Sequence, residues 1–326
     1  MTEPIINVVD ATKDFRSSSG VLKRSKSVTR AIDNVNLTIL DGEIVGLVGE
    51  SGSGKTTLGL SMLKLIDLDK GSISFKEKNI HKMNKKELIE FRKKTQMIFQ
   101  DPYESLNPLL TVYSTVSTSL TVFERSMNKT DKMEVVSKTI EALGLKPAED
   151  FLDKFPSQLS GGERQRVGIA RALVLNPEFV VADEAVSMLD VSIRADILNK
   201  ISDMQKNLGL AMLFVTHDIA VAEYLSNRIA VMHLGQIVEI GAADKVIGSP
   251  LHPYTEMLMN SLPNGGIVNK TKKFNVKSIE WERANRGYLG CAFQNKCPFV
   301  MDVCKHSKPP MLEEKEDHQV ACFLYR

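Results

Sequence analysis

The run GESGSGKTT at positions 49–57 restricts the possible folds of this chain more than any other feature. It follows an apolar stretch that ends at Val48, and it precedes a segment in which apolar residues recur at helical spacing from Leu58 to Ile66. A strand, a glycine-rich loop and a helix in this order bind the phosphates of a nucleoside triphosphate, because backbone N–H groups and the helix N-terminus point at the anion. The alternative interpretation is a glycine-rich turn between two core elements.

The run matches the whole G-x-x-x-x-G-K-S/T pattern of a phosphate loop. We expect Lys55 to hold the β- and γ-phosphates of a nucleoside triphosphate and Thr56 to supply a hydroxyl to Mg²⁺, and this loop alone leaves kinases, GTPases and many ATPases open. The glycines allow the backbone to approach the phosphate oxygens closely, which a Cβ atom would obstruct. The residues predicted to bind the nucleotide are Gly49, Ser51, Gly52, Ser53, Gly54, Lys55, Thr56 and Thr57.

Further runs have the order and composition of one protein family. They are MIFQDP with Gln100, LSGGERQR at 159–166, FVVADE at 179–184, SMLD at 187–190 and FVTHD with His217. Together with the phosphate loop they resemble the motifs of ABC-type ATPases, and LSGGERQR resembles the signature sequence of that family. Taken alone, the signature run also fits a helix start capped by Ser160, and the two interpretations are compatible.

The resemblance implies an α/β fold of the ABC-type phosphate-loop NTPase cassette, with a RecA-like core, an antiparallel β subdomain and a helical subdomain. It implies that Glu184 polarises the attacking water as general base and that His217 contacts the γ-phosphate. Asp183 ends an apolar run typical of a buried strand, so its carboxylate is expected at Mg²⁺ with Thr56 and Gln100. Gln100 would also contact the water. A solvated acidic loop and a structural histidine are the alternatives.

The same resemblance places ATP between two ATPase subunits. The signature residues of this chain would complete the site of a partner, and the signature of the partner would complete the site here. The signature residues with this role are Ser160, Gly161, Gly162 and Glu163. The resemblance separately assigns Asp190 to the D-loop.

Two other positions bear on the ATP site. Phe15 ends the first strand-like segment, and in the resembled family an aromatic residue upstream of the phosphate loop stacks on adenine; a core anchor is the alternative. Ala185 stands where family members usually carry proline. Proline would fix the backbone beside Glu184, so alanine leaves this loop freer by up to about 1 kcal/mol of unfolded-state entropy. We expect the departure to affect turnover and not the identity of the site.

The alternation of strand-like and helical stretches predicts a mostly parallel α/β core. We predict a nucleotide-binding domain at 1–262, with a helix-rich subdomain at about 84–165, and a C-terminal region at 263–326. The run PNGG at 263–266 reads as a linker between them, and the sequence after it is polar and poor in apolar runs.

The spacing of apolar residues predicts the individual strands and helices of this core. Predicted strands cover 178–182 and 212–216, and two more lie within 228–240. A charged amphipathic helix is predicted at 132–143, and it should end at Gly144 as a glycine-capped helix does.

The cysteines are concentrated in the C-terminal region, at Cys291, Cys297, Cys304 and Cys322. A polar segment this short cannot bury enough surface to order itself, so we expect a metal or a cross-link to staple it. Disulfides are disfavoured because the cytosol keeps thiols reduced. Four thiolates suit an iron–sulfur cluster or zinc, and zinc sites usually contain closer cysteine pairs than these.

The sequence around the cysteines adds a second resemblance. LHPYTEMLMNSLP at 251–263 and CAFQNKCPFVMDVC at 291–304 resemble the C-terminal region of ATPase subunits from oligopeptide and dipeptide importers. That resemblance implies a 4Fe-4S cluster on the four cysteines, with Zn²⁺ and four free structural thiols as alternatives. His306 and His318 are interpreted as solvated residues that would matter only for zinc.

Taken together, the resemblances imply an ATP-hydrolysing subunit of an importer for oligopeptides or dipeptides. Its partners would be a second, different ATPase subunit, two membrane permeases and an external substrate-binding protein. An importer of nickel, glutathione or short sugars is an alternative, because no residue of the ATPase contacts the cargo. A soluble ABC ATPase acting on ribosomes or chromosomes is disfavoured, since such proteins usually have two cassettes or a long coiled coil.

Charge and hydropathy agree with this assignment. The formal net charge is +2, from 42 basic and 40 acidic residues, which argues against a dedicated nucleic-acid surface. The sequence shows no secretory signal and no apolar run of roughly 18 to 20 residues, so we expect a cytosolic chain. Its place would be peripheral, at the cytoplasmic face of the cell membrane, through its permease partners.

Overall fold

The computed structural model of the protein describes residues 4–17, 27–101, 105–187, 189–260 and 289–326. The predicted linker at 263–266 lies outside these residues. Within the described ranges, no helix combines the length and the apolar character needed to cross a membrane. By its contacts the chain divides into two compact units, each assembled from separate stretches of sequence.

Strands and helices alternate along most of the chain. The strands are β1 Pro4–Ser17, β2 Ser27–Leu40, β3 Ile44–Val48, β4 Lys70–Phe75, β5 Lys78–Asn79, β6 Thr95–Ile98, β7 Phe179–Asp183, β8 Ala211–Thr216, β9 Arg228–His233, β10 Gln236–Ala242, β11 Leu312–Lys315 and β12 His318–Val320. The α-helices are α1 Lys55–Met62, α2 Lys85–Lys94, α3 Val112–Phe123, α4 Lys129–Ala142, α5 Glu149–Leu152, α6 Gly161–Leu173, α7 Val191–Leu208, α8 Ile219–Leu225, α9 Ala243–Gly248, α10 Pro253–Asn260 and α11 Asp302–His306. The strands predicted at 178–182 and 212–216 are confirmed to within one residue as β7 and β8.

The first unit contains Met1–Ile5, Ile39–Glu43 and Phe75–Val215. Its parallel strands lie in the order β8-β7-β6. Every residue of β7 and β8 is buried, which explains why both strands are continuous apolar runs in the sequence. Asp183 is the last residue of β7 and lies opposite Val215 of β8.

Helices α3, α4 and α6 pack against one another in this unit. Helices α2, α3 and α4 begin after Asn84, Thr111 and Asn128, whose side-chain oxygens accept N–H groups of the first turn. Gly144 follows α4 at φ 86°, as predicted for a glycine at this helix end. Helices α2 to α5 and the start of α6 lie within the helix-rich region predicted at about 84–165. That this region forms a separate subdomain stays a prediction.

The second unit contains Ile6–Thr38, Ile44–Ser74 and Thr216–Arg326. Five of its strands lie in the order β11-β12-β10-β9-β3, with β3 parallel to β9 and the other neighbours antiparallel. Gly235, at φ 85°, lies in the tight turn between β9 and β10, which confirms the two strands predicted there. In another sheet, β1 lies between β2 and β4.

The described part of the C-terminal region is built into the second unit. Strand β12 pairs with β10, and Val320 lies opposite Glu239. Phe293 and Cys304 share one apolar core with Val48 of β3. The short polar segment thus shares a core with the strands that lead to the phosphate loop, an ordering that its own composition does not predict.

Candidate active site

The phosphate loop joins β3 to α1 through glycines that larger residues could not replace. Gly49 has φ 155°, and a Cβ atom there would lie 2.1 Å from the carbonyl oxygen of Met232 in β9. Gly54 has φ 112°, and its Cβ atom would lie 2.2 Å from the carbonyl oxygen of Ala31 in β2. Both contacts are with backbone, which cannot move aside as a flexible side chain would. The glycines of the motif are therefore required by the neighbouring strands as well as by any ligand.

Lys55 and the start of α1 form the cationic end of the loop. The Lys55 ammonium donates to the carbonyl oxygens of Gly49 at 2.8 Å and of Glu50 at 3.0 Å. The Ser53 N–H donates to the Glu50 carbonyl at 3.1 Å and closes the loop. No side chain caps α1 and its first turn carries no acidic residue, so no carboxylate of that turn offsets the partial positive charge of the helix N-terminus. Such a loop can bind phosphate groups.

Phe15 and His217 belong to the same unit as the phosphate loop. Phe15 is 43% exposed, and the Lys13 ammonium lies 5.7 Å from its ring centroid. This exposure excludes the core-anchor interpretation and leaves a ring that can stack on a base. His217 directly follows β8 and is exposed. Asp218 beside it caps α8 by accepting two backbone N–H groups, a role that the sequence analysis missed although an aspartate before an apolar helix indicates it.

Glu184 has an unusual backbone conformation directly after β7. Its φ of 46° lies in the left-handed region, which non-glycine residues adopt rarely. Its N–H donates to the Val215 carbonyl at 2.9 Å, and its own carbonyl accepts the N–H and the hydroxyl of Ser187 at 3.1 and 2.9 Å. These bonds hold the backbone on both sides of Ala185, which is buried. The effect of alanine at this position on turnover stays a prediction.

The structure brings Gln100 and Glu184 together although 84 residues separate them in the sequence. The Gln100 side-chain amide donates from Nε2 to Glu184 Oε2 at 2.8 Å. The carbonyl oxygen of the same amide is the end that can bind a cation. Asp183, next to Glu184, is 4% exposed at the end of its strand. Gln100, Asp183 and Glu184 all belong to the first unit.

Ser160 begins α6 with a capping box, as the sequence allowed. The Glu163 N–H donates to Ser160 Oγ at 3.3 Å, and the Ser160 N–H and hydroxyl donate to Glu163 Oε2 at 2.7 and 2.8 Å. These hydrogen bonds lower the pKa of Glu163 below its usual value. At Gly162 a Cβ atom would lie 2.9 Å from Cγ2 of Ile193 in α7. Close packing against Ile193 is therefore a further reason for glycine at position 162, and the sequence alone did not indicate it.

The cysteines of the C-terminal region are free thiols that line one small cavity, Cys291, Cys297, Cys304 and Cys322. Its other walls are mostly aromatic and apolar. Burial raises the pKa of Cys291 to about 12 and that of Cys297 to about 11. Among the residues that the structure describes, no group of three or more His, Cys, Asp or Glu side chains is arranged to hold a metal ion.

His306 is exposed as expected, but the interpretation of His318 as solvated is wrong. His318 is fully buried, and its Nε2 lies 2.7 Å from Oε1 of Glu239 in β10, which is fully buried too. Glu239 also accepts the N–H groups of Leu251 and His252, each at 2.8 Å. The Glu239 carboxylate therefore connects β12 to the start of α10 through buried hydrogen bonds.

Comparison with protein families matches two parts of the chain. Residues 32–187 match the family described as ABC transporter. Residues 238–304 match the family described as oligopeptide/dipeptide transporter, C-terminal region. The second match includes the first three cysteines and ends before Cys322.

Curated relatives are similar over most or nearly all of the chain. The putative oligopeptide transport ATP-binding protein YkfD of Bacillus subtilis (strain 168) is 41% identical over 303 residues, 92% of this chain and 91% of the relative. The probable peptide ABC transporter ATP-binding protein y4tS of Sinorhizobium fredii is 38% identical over 324 residues, 99% of this chain and 91% of the relative. The oligopeptide transport ATP-binding protein OppF of Streptococcus mutans is 47% identical over 241 residues, 74% of this chain and 78% of the relative.

Solved structures share the fold. The dimeric structure of MJ0796, a bacterial ABC transporter cassette, is 30% identical with a TM-score of 0.65, covering 73% of this chain and 98% of that chain. CbiO1 from Clostridium perfringens, part of the ABC transporter complex cbiONQ, is 26% identical with a TM-score of 0.64, covering 80% of this chain and 96% of that chain. These likenesses confirm the predicted α/β cassette fold.

Proposed function

Because the chain belongs to the family of ABC transporter ATP-binding proteins and is an ABC-type ATPase, we propose that it energises the import of oligopeptides or dipeptides. The observation that carries this proposal is the match of residues 238–304 to the oligopeptide/dipeptide transporter C-terminal region. Relatives named as peptide transport ATP-binding proteins support it over nearly the whole chain.

In this proposal the phosphate loop holds the triphosphate of ATP. The Lys55 ammonium exchanges the Gly49 and Glu50 carbonyls for the β- and γ-phosphates, and N–H groups of the loop and of α1 donate to phosphate oxygens. Phe15 stacks on adenine, which its exposed ring supports. The nucleotide-binding residues are then Phe15, Gly49, Ser51, Gly52, Ser53, Gly54, Lys55, Thr56 and Thr57.

We assign ATP hydrolysis to residues at the ends of β6, β7 and β8. Glu184 acts as the general base for water, and its hydrogen bond from Gln100 supports a fixed carboxylate. Thr56, Gln100 and Asp183 offer the oxygen ligands that Mg²⁺ prefers. When bound, Mg²⁺ neutralises charge on the phosphates. His217 contacts the γ-phosphate.

The signature run acts in the site of a second ATPase subunit. The dimeric form of the similar MJ0796 cassette supports such a pair. Two membrane permeases and an external substrate-binding protein complete the importer, and this chain is then peripheral at the cytoplasmic face of the membrane. The signature residues acting in trans are Ser160, Gly161, Gly162 and Glu163, and Asp190 is assigned to the D-loop.

Uptake by cells tests the cargo. Deleting the chain from its source cell should abolish uptake of radiolabelled dipeptides and oligopeptides, and the parent chain should restore uptake while Glu184→Gln should not. Nickel, glutathione and short sugars serve as control cargoes. If the deletion abolished uptake of nickel, glutathione or a sugar but left peptide uptake intact, that compound would be the cargo in place of peptides. Unchanged uptake of the peptides and of all control compounds would reject the importer function.

For the cysteine cavity we propose a 4Fe-4S cluster. Four thiols that line one apolar cavity are the donor set that such clusters use. A single zinc ion needs its four ligands within about 2.3 Å of one point, whereas a cluster distributes them over four irons. Its role would be structural, because four thiolates leave no open position for a substrate.

Replacing Cys297 by serine tests the cluster. Anaerobically purified parent protein should be brown and contain iron and acid-labile sulfide, and Cys297→Ser should lose the colour and the iron while it still binds ATP. Elemental analysis and the visible spectrum are the measurements. Colourless parent protein with one equivalent of zinc would replace the cluster by zinc, and metal-free parent protein would reject both.

A further inference from the structure

One peptide group of the phosphate loop is held from both sides. The Gly49 carbonyl accepts a hydrogen bond from the Lys55 ammonium at 2.8 Å. The Glu50 N–H, which belongs to the same peptide group, donates to the hydroxyl of Tyr254 in α10 at 2.9 Å. A planar trans peptide directs these two groups in opposite directions, so a rotation of the group would break both bonds.

The position of Tyr254 is itself fixed by burial and by its neighbours. The side chain is fully buried, with ring centroids 4.2 Å from His233 and 5.4 Å from Phe293. Its N–H donates to Nδ1 of His252 at 3.0 Å. Burial lowers the pKa of His252 to about 3, so this imidazole is neutral at physiological pH and remains an acceptor. The Tyr254 hydroxyl is thereby held in one place.

The segment that carries Cys291 and Cys297 makes a second contact with the loop. Lys296 is 4% exposed at its side chain, and its ammonium lies 3.8 Å from the Glu50 carboxylate. The N–H groups of Lys296 and Cys297 both donate to the carbonyl of Phe293, at 3.1 and 3.0 Å. Lys296 and the ring that packs on Tyr254 therefore belong to one turn of the cysteine segment.

We propose that Tyr254 and Lys296 are positioning residues through which the cysteine segment holds the phosphate loop in its nucleotide-binding conformation. The proposal rests on the role of the phosphate loop given above. Without the Tyr254 hydroxyl the Glu50 N–H loses its acceptor, and the peptide group has to be oriented when the nucleotide binds. Losing one such hydrogen bond should weaken nucleotide binding by about 3- to 10-fold.

Equilibrium binding of a non-hydrolysable ATP analogue with Mg²⁺ to the full-length protein tests this. Tyr254→Phe keeps the buried ring and should raise the Kd by about 3- to 10-fold. Tyr325→Phe is the matched control, because the Tyr325 hydroxyl donates to the Leu251 carbonyl at 3.0 Å in the same C-terminal region. It should change the Kd by less than about 2-fold. Equal Kd values for the two variants would overturn the proposal.

Substitutions of Lys296 provide a second, independent test of the positioning role. Lys296→Met should raise the Kd of the analogue, and Lys296→Arg should restore most of the affinity because it returns the charge beside Glu50. Melting temperatures measured without nucleotide separate a positioning role from a general loss of stability. If the Kd follows the melting temperature across all four variants, the residues are only structural and the proposal is wrong.

Lys55→Ala separates this inference from the proposed function. If the phosphate loop binds ATP, Lys55→Ala should lose the analogue altogether. Binding at parent strength by Lys55→Ala would reject the proposed nucleotide site itself. The positioning role alone would be rejected if Lys55→Ala lost binding while Tyr254→Phe and Lys296→Met bound the analogue as tightly as the parent.

Discussion

Replacing Glu184 by glutamine should slow ATP hydrolysis by about 10² or more while ATP still binds. The carboxylate is the proposed base, and glutamine has nearly the same shape but cannot accept the proton. Gln100 can still donate to the substituted side chain, so the position of residue 184 should be kept. Hydrolysis is measured in the assembled transporter and binding is measured separately at equilibrium.

A surface glutamate provides the control for this substitution. Glu223 is exposed on α8, and Glu223→Gln should hydrolyse ATP at the parent rate. Hydrolysis by Glu184→Gln at the parent rate would show that another group is the base. Loss of ATP binding in Glu184→Gln would instead show that the carboxylate is needed to hold the site together.

Replacing Ser160 by arginine should nearly abolish hydrolysis in the complex without weakening ATP binding to the isolated chain. The bulky cation would stand where the signature run is proposed to meet nucleotide held by the partner. Ser160 also caps α6, and losing a cap costs about 1 kcal/mol of stability, so the variant needs a control that loses only a cap.

Asn84 begins α2 with the same kind of capping box, and Asn84→Arg makes the same change outside the signature. Asn84→Arg should keep most of the hydrolysis in the complex. Equal loss in the two variants would assign the effect to the helix caps. Full hydrolysis by a strictly monomeric sample, independent of Ser160, would exclude a site completed by a partner.

Much of the fold could be predicted because the buried parallel strands leave clear patterns. Strands β7 and β8 are continuous apolar runs since every residue in them is buried, and each is followed directly by a motif residue, Glu184 or His217. The phosphate loop is equally local, since its strand, glycines and lysine are adjacent in the sequence. Such features do not depend on distant partners.

The parts that could not be predicted depend on contacts between distant residues. His318 lies in a three-residue strand without apolar periodicity, and its partner Glu239 is 79 residues away. The left-handed backbone of Glu184 has no signal in its residue type, because glutamate rarely adopts it. The described part of the polar C-terminal region, residues 289–326, packs through Phe293 and its neighbours on a core supplied by other strands.

ATP hydrolysis by this chain should be coupled to peptide import. The most direct measurement is ATP hydrolysis by the purified transporter in proteoliposomes, with and without the binding protein loaded with peptide. Peptide-loaded binding protein should raise the rate, and Glu184→Gln should remove the increase. A rate that is the same with and without peptide, or an increase that survives in Glu184→Gln, would contradict this coupling.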